Sequence, residues 1–235
     1  MLCFAGDGIG PEITAEARRT LDRTAERFGH CFEYREAPVG AAAIDLTGDP
    51  YPEETHRICL ESDAVLFGAI GDPKYDNDPT APVRPEQGLL RMRRSLGLYA
   101  NLRPVAVTEA LIDRSPLKPE IVRGTDFICV RELTGGIYFG RPQGRDQAGT
   151  RAFDTCTYTV AEIERVLHTA FRLAGARCRR LTVVDKANVA GDLAPVARDG
   201  PTARRAISRN GGRIPLRGQR PRCSLSASRP TSTSS

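Results

Sequence analysis

The chain has 235 residues, enough for one large domain or two small ones, and no apolar run approaches membrane-spanning length, so we expect no membrane partner. The net charge of +5 arises beyond Val189, where nine arginines and two aspartates give +7 and leave −2 on the preceding chain. This basic tail lacks interleaved aromatic residues and any recognition module, which argues against a nucleic-acid partner.

The seven cysteines are odd in number, more than 20 residues apart and never arranged as C-x-x-C. This spacing argues against a zinc site and against a disulfide framework. The three histidines are also widely spaced, so no histidine metal cluster is indicated. Because reduced cysteines suit the cytoplasm and the first residues do not form a signal peptide, we expect a cytoplasmic protein.

The chain opens with a short apolar segment and the motif Gly6–Glu12, which reads G-D-G-I-G-P-E. Apolar residues at helical spacing then predict a helix to about Phe28, and Pro11 suits its first turn. Proline at position 11 breaks the G-x-G-x-x-G pattern, so an ordinary Rossmann fingerprint is not supported. The motif predicts a strand–loop–helix corner and only weakly indicates a nearby ligand.

Alternating strand and helix patterns follow. We predict a strand at Cys31–Arg35, a helix at Pro52–Leu60 and a buried parallel strand at Asp63–Ile70. The last of these enters the loop Gly71–Asp76, at the end of a strand where open α/β sheets bind ligands. The predicted class is therefore α/β, with an open twisted sheet flanked by helices.

The segment Arg84–Pro104 is a first candidate binding element. Leu89 and Arg93 are four residues apart and share one helix face, so an apolar group lies beside a guanidinium. Such a pair suits a ligand with a hydrocarbon branch and carboxylates. The alternative is an amphipathic helix with a solvated arginine edge at positions 91, 93 and 94.

A second candidate element is Val130–Pro142. A predicted strand at Asp126–Val130 leads into Arg131, a glycine pair at positions 135 and 136, and Tyr138. Arginine binds carboxylates with two parallel hydrogen bonds, and glycine permits turns closed to other residues. The segment therefore reads as a binding site, or alternatively as a hairpin with one surface arginine.

Farther along, Pro104–Val107 is a predicted strand, and Thr159 with Glu162 forms a capping box at the start of a helix. A last predicted strand, Leu181–Asp185, places Lys186 and Asn188 at its end. From about Ala190 to Ser235 the sequence is rich in Arg, Pro and Ser, without sustained periodicity, and predicts a disordered tail.

Four motifs in this order, GDGIGPE, RPEQGLLRMRRSLGLYANLRP, VRELTGGIYFGRP and VDKAN, resemble the isocitrate/isopropylmalate dehydrogenase family. The resemblance covers Met1 to about Val189, roughly the amino-terminal half of such an enzyme. The L-T-G-G segment is similar to the isopropylmalate branch rather than to the isocitrate, homoisocitrate or tartrate branches. It implies NAD-dependent oxidation and decarboxylation of 3-isopropylmalate by a homodimer in leucine biosynthesis.

The resemblance also implies roles for individual residues. Tyr138 and Lys186 match catalytic proton-transfer residues. Six residues match the substrate site: Arg93, Arg103 and Arg131 for the carboxylates, Leu89 for the isopropyl branch, and Glu86 and Asn188 beside the substrate. Five match the NAD site: Pro73, Lys74, Tyr75, Asp76 and Glu86.

The sequence departs from the family after Val189. The family uses Mg²⁺ or Mn²⁺ to polarise the 2-oxygen, and its metal-binding aspartates lie beyond the segment matching VDKAN. Asp192 and Asp199 stand in no matching motif, so no metal ligand is assigned. The change in composition suggests a wrong reading frame or a truncated gene product.

Three ranges are predicted: an amino-terminal α/β domain over 1–103, the start of a second α/β domain over 104–189, and a tail over 190–235. We expect a chain that is inactive alone and only partly stable. The alternatives are a non-catalytic remnant or interaction fragment, and a related enzyme acting on another 2-hydroxy acid.

Overall fold

The computed structural model describes residues 1–76 and 81–184. They fall into two compact units, Met1–Leu98 and a second unit that begins at Tyr99. No helix within these described ranges is long and apolar enough to span a membrane. The domain ranges predicted from the sequence stay a prediction.

The first unit is built on a three-stranded parallel sheet of order β2-β1-β3. Its strands are β1 Leu2–Gly6, β2 Arg35–Glu36 and β3 Val65–Ala69. The central strand β1 begins with three buried residues in succession, as expected for a parallel strand covered on both faces. Because Gly6 pairs with Ala69, β1 and β3 end at the same edge, and the loops that follow them start together.

Five helices belong to this unit: α1 Gly10–Phe28, α2 Ala41–Thr47, α3 Glu53–Leu60, α4 Pro73–Asp76 and α5 Pro85–Ser95. Helix α1 has Pro11 in its first turn and ends at Gly29, whose φ of 69° is the left-handed conformation of a helix cap. It contacts both β1 and β3, so it covers one part of the sheet.

The core of the first unit lies between the sheet and helices α3 and α5. Its buried members are Leu2, Phe4, Val39, Tyr51, Cys59 and Met92. The rings of Phe4 and Phe67 meet edge to face, with centroids 5.8 Å apart. Fully burying one such side chain contributes about 1.5–3 kcal/mol, so this cluster supplies much of the unit's stability.

The second unit begins with an antiparallel pair, β4 Ala100–Ala106 and β5 Asp126–Glu132. A 3₁₀ turn at Glu109–Arg114 and helix α6 Pro119–Val122 connect them. After β5 come a 3₁₀ turn at Gly136–Tyr138, the strand pair β6 Gln143–Arg145 and β7 Ala152–Asp154, and helix α7 Val160–Gly175.

Helix α7 starts at the predicted capping box. The Thr159 hydroxyl accepts a hydrogen bond from the Glu162 backbone N–H, and the Glu162 carboxylate accepts one from the Thr159 backbone N–H. The helix contacts β5 and buries Leu167, Ala170 and Ala174. Its amphipathic pattern therefore covers one face of the β4–β5 pair.

The structure confirms the α/β class and the helix that ends at Phe28. The strand predicted at Cys31–Arg35 is wrong in extent, because only Arg35 and Glu36 find pairing partners on β1. No strand forms at positions 181–184, and the predicted tail from 190 to 235 lies outside the described residues. Strand β4 starts at Ala100 rather than Pro104, since pairing with β5 extends it.

Five of the described cysteines are free thiols: Cys3, Cys31, Cys59, Cys129 and Cys156. Burial raises the pKa of the Cys3 and Cys59 thiols, which keeps them protonated. Cys178 is disulfide-bonded, an exception that the count and spacing of the cysteines did not predict.

Candidate active site

The glycine motif after β1 is organised by the buried carboxylate of Asp7, which is 5% exposed. Its oxygens accept backbone N–H hydrogen bonds from Ala41 at 2.9 Å, Ala42 at 3.0 Å and Gly71 at 3.1 Å. A carboxylate at the start of a helix satisfies N–H groups that have no partner within the helix. Asp7 therefore fastens the first turn of α2 to the loop after β3, and the motif has a structural role.

The predicted cofactor residues Pro73, Lys74, Tyr75 and Asp76 form the short helix α4 at the carboxyl end of β3. The Lys74 ammonium contacts Asp45 of α2 at 2.6 Å, and the Tyr75 hydroxyl donates to the same carboxylate at 3.3 Å. The hydrogen bond between Lys74 and Asp45 lowers the pKa of the Asp45 carboxyl and raises the pKa of the Lys74 ammonium. The loop is thus held against α2.

The fit of this loop to a dinucleotide is incomplete. A pyrophosphate needs several free N–H groups in a cradle. The N–H groups of Lys74 and Tyr75 instead donate to Asp72, at 3.0 Å and 2.9 Å. The residues of this loop therefore do not make a complete NAD site by themselves.

Glu86, Leu89 and Arg93 lie together on α5, three and four residues apart. Leu89 is half-buried and packs against the core of the first unit, and Arg93 is also half-buried. Glu86 is exposed and lies beside Gly71, because a β-carbon added there would be 3.5 Å from its Oε1. The helix therefore lines up an acid, an apolar group and a base along one stripe.

The neighbouring Arg91 is exposed, as is Arg94, and Arg91 also has partners within the first unit. Its guanidinium contacts Asp49 at 2.5 Å, donates to the Tyr51 carbonyl and lies 5.5 Å from the centre of the Tyr51 ring. These contacts join α5 to the loop before α3. The alternative of an amphipathic helix with an exposed arginine edge therefore holds for Arg91 and Arg94, whereas Arg93 is half-buried.

Arg103 and Arg131 come together through the register of β4 and β5. Arg103 pairs with Cys129, and Arg131 pairs with Asn101. Paired residues of antiparallel strands share a face, so both guanidiniums project from the same side of the sheet. This face is solvent-accessible, and Arg103 Nε donates to Asn101 Oδ1 at 2.8 Å, which places an amide beside the arginine.

Tyr138 joins this pair from the 3₁₀ turn after β5. The Arg131 guanidinium lies over the Tyr138 ring, 5.5 Å from its centre, and the ring is 49% exposed. A cation over an aromatic face is an attractive arrangement that fixes both groups. Arg103, Arg131 and Tyr138 thus form an exposed cluster that can hold an anion beside a phenol.

Glu132 lies between Arg131 and Tyr138 in the same motif, and the sequence assigned it no role. Its side chain is only 9% exposed and accepts backbone N–H hydrogen bonds from Thr134 at 3.0 Å and Gly135 at 2.8 Å. Its signal in the sequence is an acid two residues before Thr-Gly-Gly.

The predicted residues Lys186 and Asn188 lie outside the described residues. Across positions 1–76 and 81–184, no group of three or more His, Cys, Asp or Glu side chains is arranged to hold a metal ion. The described residues therefore do not supply a complete ligand set for Mg²⁺ or Mn²⁺.

The chain is similar to known proteins over most of its length. The family model for isocitrate/isopropylmalate dehydrogenase matches residues 1–194. A 3-isopropylmalate dehydrogenase of Bacteroides fragilis is 57% identical over 186 residues, covering 79% of this chain and 52% of the relative. One of Aquifex aeolicus is 58% identical over 186 residues, covering 78% and 51%. The chain spans about half the length of the curated relatives it matches.

Solved structures give the same family. A β-decarboxylating dehydrogenase from Thermococcus kodakarensis superposes with a TM-score of 0.59 at 32% identity, covering 86% of this chain and 52% of the other. Isocitrate dehydrogenase from Methylococcus capsulatus gives 0.64 at 25% identity, with coverages of 83% and 53%. With its fold, its motifs and a family match over residues 1–194, this chain belongs to the isocitrate/isopropylmalate dehydrogenase family.

Proposed function

We propose that this chain carries the substrate-binding part of a 3-isopropylmalate dehydrogenase, which oxidises and decarboxylates 3-isopropylmalate to 2-oxoisocaproate with NAD in leucine biosynthesis. The names of relatives more than half identical to it support this substrate. The observation that carries the proposal is the exposed cluster in which Arg103 and Arg131 share one sheet face beside Tyr138.

The chemistry of the cluster suits a dicarboxylate. Arg103 and Arg131 are diagonal neighbours across the strand pair, a geometry in which Cα atoms lie about 7–8 Å apart. Each guanidinium can bind one carboxylate with two parallel hydrogen bonds. Tyr138 contacts the cation that would bind the substrate, so its phenol can donate a proton to the carbon that loses carbon dioxide.

The remaining roles extend this proposal. Arg93 supplies a third guanidinium, Leu89 the contact for the isopropyl branch, and Glu86 a neighbour of both substrate and nicotinamide. Lys186, with Asn188 beside it, relays the proton of the substrate hydroxyl. Positions 73–76 would lie along one side of bound NAD, and the proposal includes a cytoplasmic homodimer that uses Mg²⁺ or Mn²⁺.

Substrate binding can be tested through Cys129, an exposed thiol that pairs with Arg103 on the proposed binding face. Iodoacetamide labelling, followed by mass spectrometry, should slow about tenfold when 3-isopropylmalate is present at ten times its Kd. Cys31 and Cys156, the other exposed thiols within residues 1–76 and 81–184, serve as internal controls whose labelling should not change. Arg131→Met should abolish the protection of Cys129.

The matched control is Arg123→Met, which removes an exposed ion pair with Glu109 in the same unit. It should leave the protection intact. Absence of protection in folded wild-type chain would overturn the proposal and favour a non-catalytic remnant. Protection by isocitrate or tartrate, but not by 3-isopropylmalate, would assign the site to another 2-hydroxy acid.

Turnover is a separate measurement. NADH absorbance is followed with the purified chain, 3-isopropylmalate, NAD and a magnesium salt, with Lys186→Ala as control. We expect Cys129 protection without NADH formation, in keeping with a chain that is inactive alone. Sustained NADH formation above the Lys186→Ala control would show that the chain completes the reaction.

A further inference from the structure

The turn that separates Arg131 from Tyr138 is folded around a single carboxylate. Glu132 Oε2 accepts the backbone N–H groups of Thr134 and Gly135, and Oε1 accepts the Thr134 hydroxyl at 2.9 Å. These three bonds wrap the L-T-G-G segment over the Glu132 side chain. The direction in which the chain continues to Tyr138 is therefore set at Glu132.

Arg165 of helix α7 holds this carboxylate from the other side. Its guanidinium donates to Glu132 Oε1 at 3.1 Å and to Thr134 Oγ1 at 2.6 Å. The same guanidinium lies 5.0 Å from the centre of the Tyr99 ring, at the start of β4. Because the Glu132 side chain is only 9% exposed, removal of Arg165 would take away the ion-pair partner of a nearly buried carboxylate.

Tyr158 closes the turn from the opposite side. A β-carbon at Gly135 would lie 3.0 Å from the Tyr158 ring, and one at Gly136 would lie 2.4 Å from its hydroxyl oxygen. Gly136 also has a φ of +73°, which side chains rarely adopt. The close contact with Tyr158 therefore requires glycine at positions 135 and 136. This packing restricts the conformations that the turn can adopt.

We propose that Glu132 and Arg165 are positioning residues that hold Tyr138 beneath Arg131 through the L-T-G-G turn. Where the ligand is concerned, this rests on the proposed function. The pair fixes the distance between the guanidinium that binds a substrate carboxylate and the phenol that donates a proton. Neither Glu132 nor Arg165 contacts the substrate in this proposal; each acts through the turn.

The first test is independent of activity. The Tyr138 ring shields the δ-protons of Arg131, and this upfield shift, identified by its loss in Tyr138→Leu, is measured by NMR of the full chain. Glu132→Gln and Arg165→Met should abolish most of the shift, while the amide signals of β4 and β5 remain in place. The control Arg123→Met should retain it.

The second test uses protection of Cys129 by 3-isopropylmalate. A misplaced binding or reacting group commonly costs tenfold or more, so Glu132→Gln and Arg165→Met should raise the Kd about tenfold. Arg165→Lys keeps the positive charge and should lie between wild type and Arg165→Met in both measurements. This intermediate variant decides the question if Glu132→Gln fails to fold.

Two outcomes would be decisive in opposite ways. An unchanged Arg131 shift together with an unchanged Kd in both variants would overturn the positioning role. A shift that is lost in the variants, with no substrate protection even in wild type, would support the positioning role and reject the proposed function.

Discussion

At the scale of single residues, the buried carboxylate of Asp7 joins two separate parts of the first unit. It accepts three backbone hydrogen bonds from α2 and from Gly71, and an asparagine would turn a donor toward donors. Leaving a buried N–H group without an acceptor costs about 1–3 kcal/mol. We expect Asp7→Asn to lower the free energy of unfolding by that amount in urea titrations.

The matched control for Asp7 is Asp45→Asn in the same helix region. The Asp45 side chain is 55% exposed and pairs with Lys74 in solvent, where ion pairs contribute little. Its substitution should leave the free energy of unfolding close to the wild-type value. Equal effects of the two variants would contradict the structural role assigned to Asp7.

The sequence indicated Arg103, Arg131 and Tyr138, because they stand in two motifs, over 84–104 and 130–142, that resemble the family. It could not indicate why Asp7 or Arg165 matters. The partners of Asp7 are 34, 35 and 64 residues away along the chain, and Arg165 reaches Glu132 across 33 residues. Such contacts arise only when separate elements pack, so a local pattern does not contain them.

At the scale of elements, helix α5 packs closely because Gly88 faces the chain at Pro50. A β-carbon at position 88 would lie 2.5 Å from the Pro50 carbonyl oxygen. Overpacking of this kind costs about 1–3 kcal/mol, which exceeds the helix-propensity gain of about 1 kcal/mol from alanine. Gly88→Ala should therefore lower the urea midpoint of the chain.

Gly175→Ala is the matched control for this substitution. Gly175 is also a helical glycine, at the end of α7, and a β-carbon there would meet nothing within 4 Å. The propensity gain is then unopposed, so the variant should be neutral or slightly more stable. If Gly88→Ala raised the urea midpoint instead, α5 and the chain at Pro50 could move apart without a cost in stability.

The loop between β6 and β7 is closed by Asp146, which gives a pH-dependent prediction. Its carboxylate accepts N–H groups of Arg151 and Thr150 and the Thr150 hydroxyl, and these bonds lower its pKa below the ordinary value of 3.8. The stabilisation is complete above the unfolded-state pKa and is lost as pH falls through the lower folded-state pKa.

NMR titration of the Thr150 and Arg151 amides should therefore show a transition below pH 3.8, toward the shifts of Asp146→Asn. The variant itself should show no such transition. A midpoint above the ordinary aspartate value would contradict the hydrogen-bonded loop.

Elements with internal periodicity were predictable, whereas strand partners were not. The capping box at Thr159 and the apolar stripe of α7 are local signals, and both are realised. The extent of β4 depends on β5, and β2 is short because β1 offers it only two partners. The register between β4 and β5 also determines that Arg103 and Arg131 lie on the same face of the strand pair.

At the scale of the whole molecule, more of the buried apolar side chains among the described residues belong to the first unit than to the second. The first has a core cluster that contains the fully buried Leu2 and Phe4. The second exposes several large apolar side chains within its described part: Leu111 at 59%, Leu117 at 57%, Ile121 at 63% and Phe127 at 50%. Apolar area removed from water is the main stabilising contribution to a folded unit, so we expect the second unit to be the weaker one.

Calorimetry of the purified chain should accordingly show broad unfolding, with a van't Hoff enthalpy below the calorimetric enthalpy, because the weaker unit melts first. Hydrogen exchange should lose protection in β4 and β5 before β1 and β3. Leu167→Ala should lower the midpoint temperature of the earlier transition. Phe4→Ala should lower the free energy of unfolding of the later transition by about 3–5 kcal/mol. A single sharp transition, shifted equally by both variants, would show one cooperative fold and contradict the expectation that the chain is only partly stable.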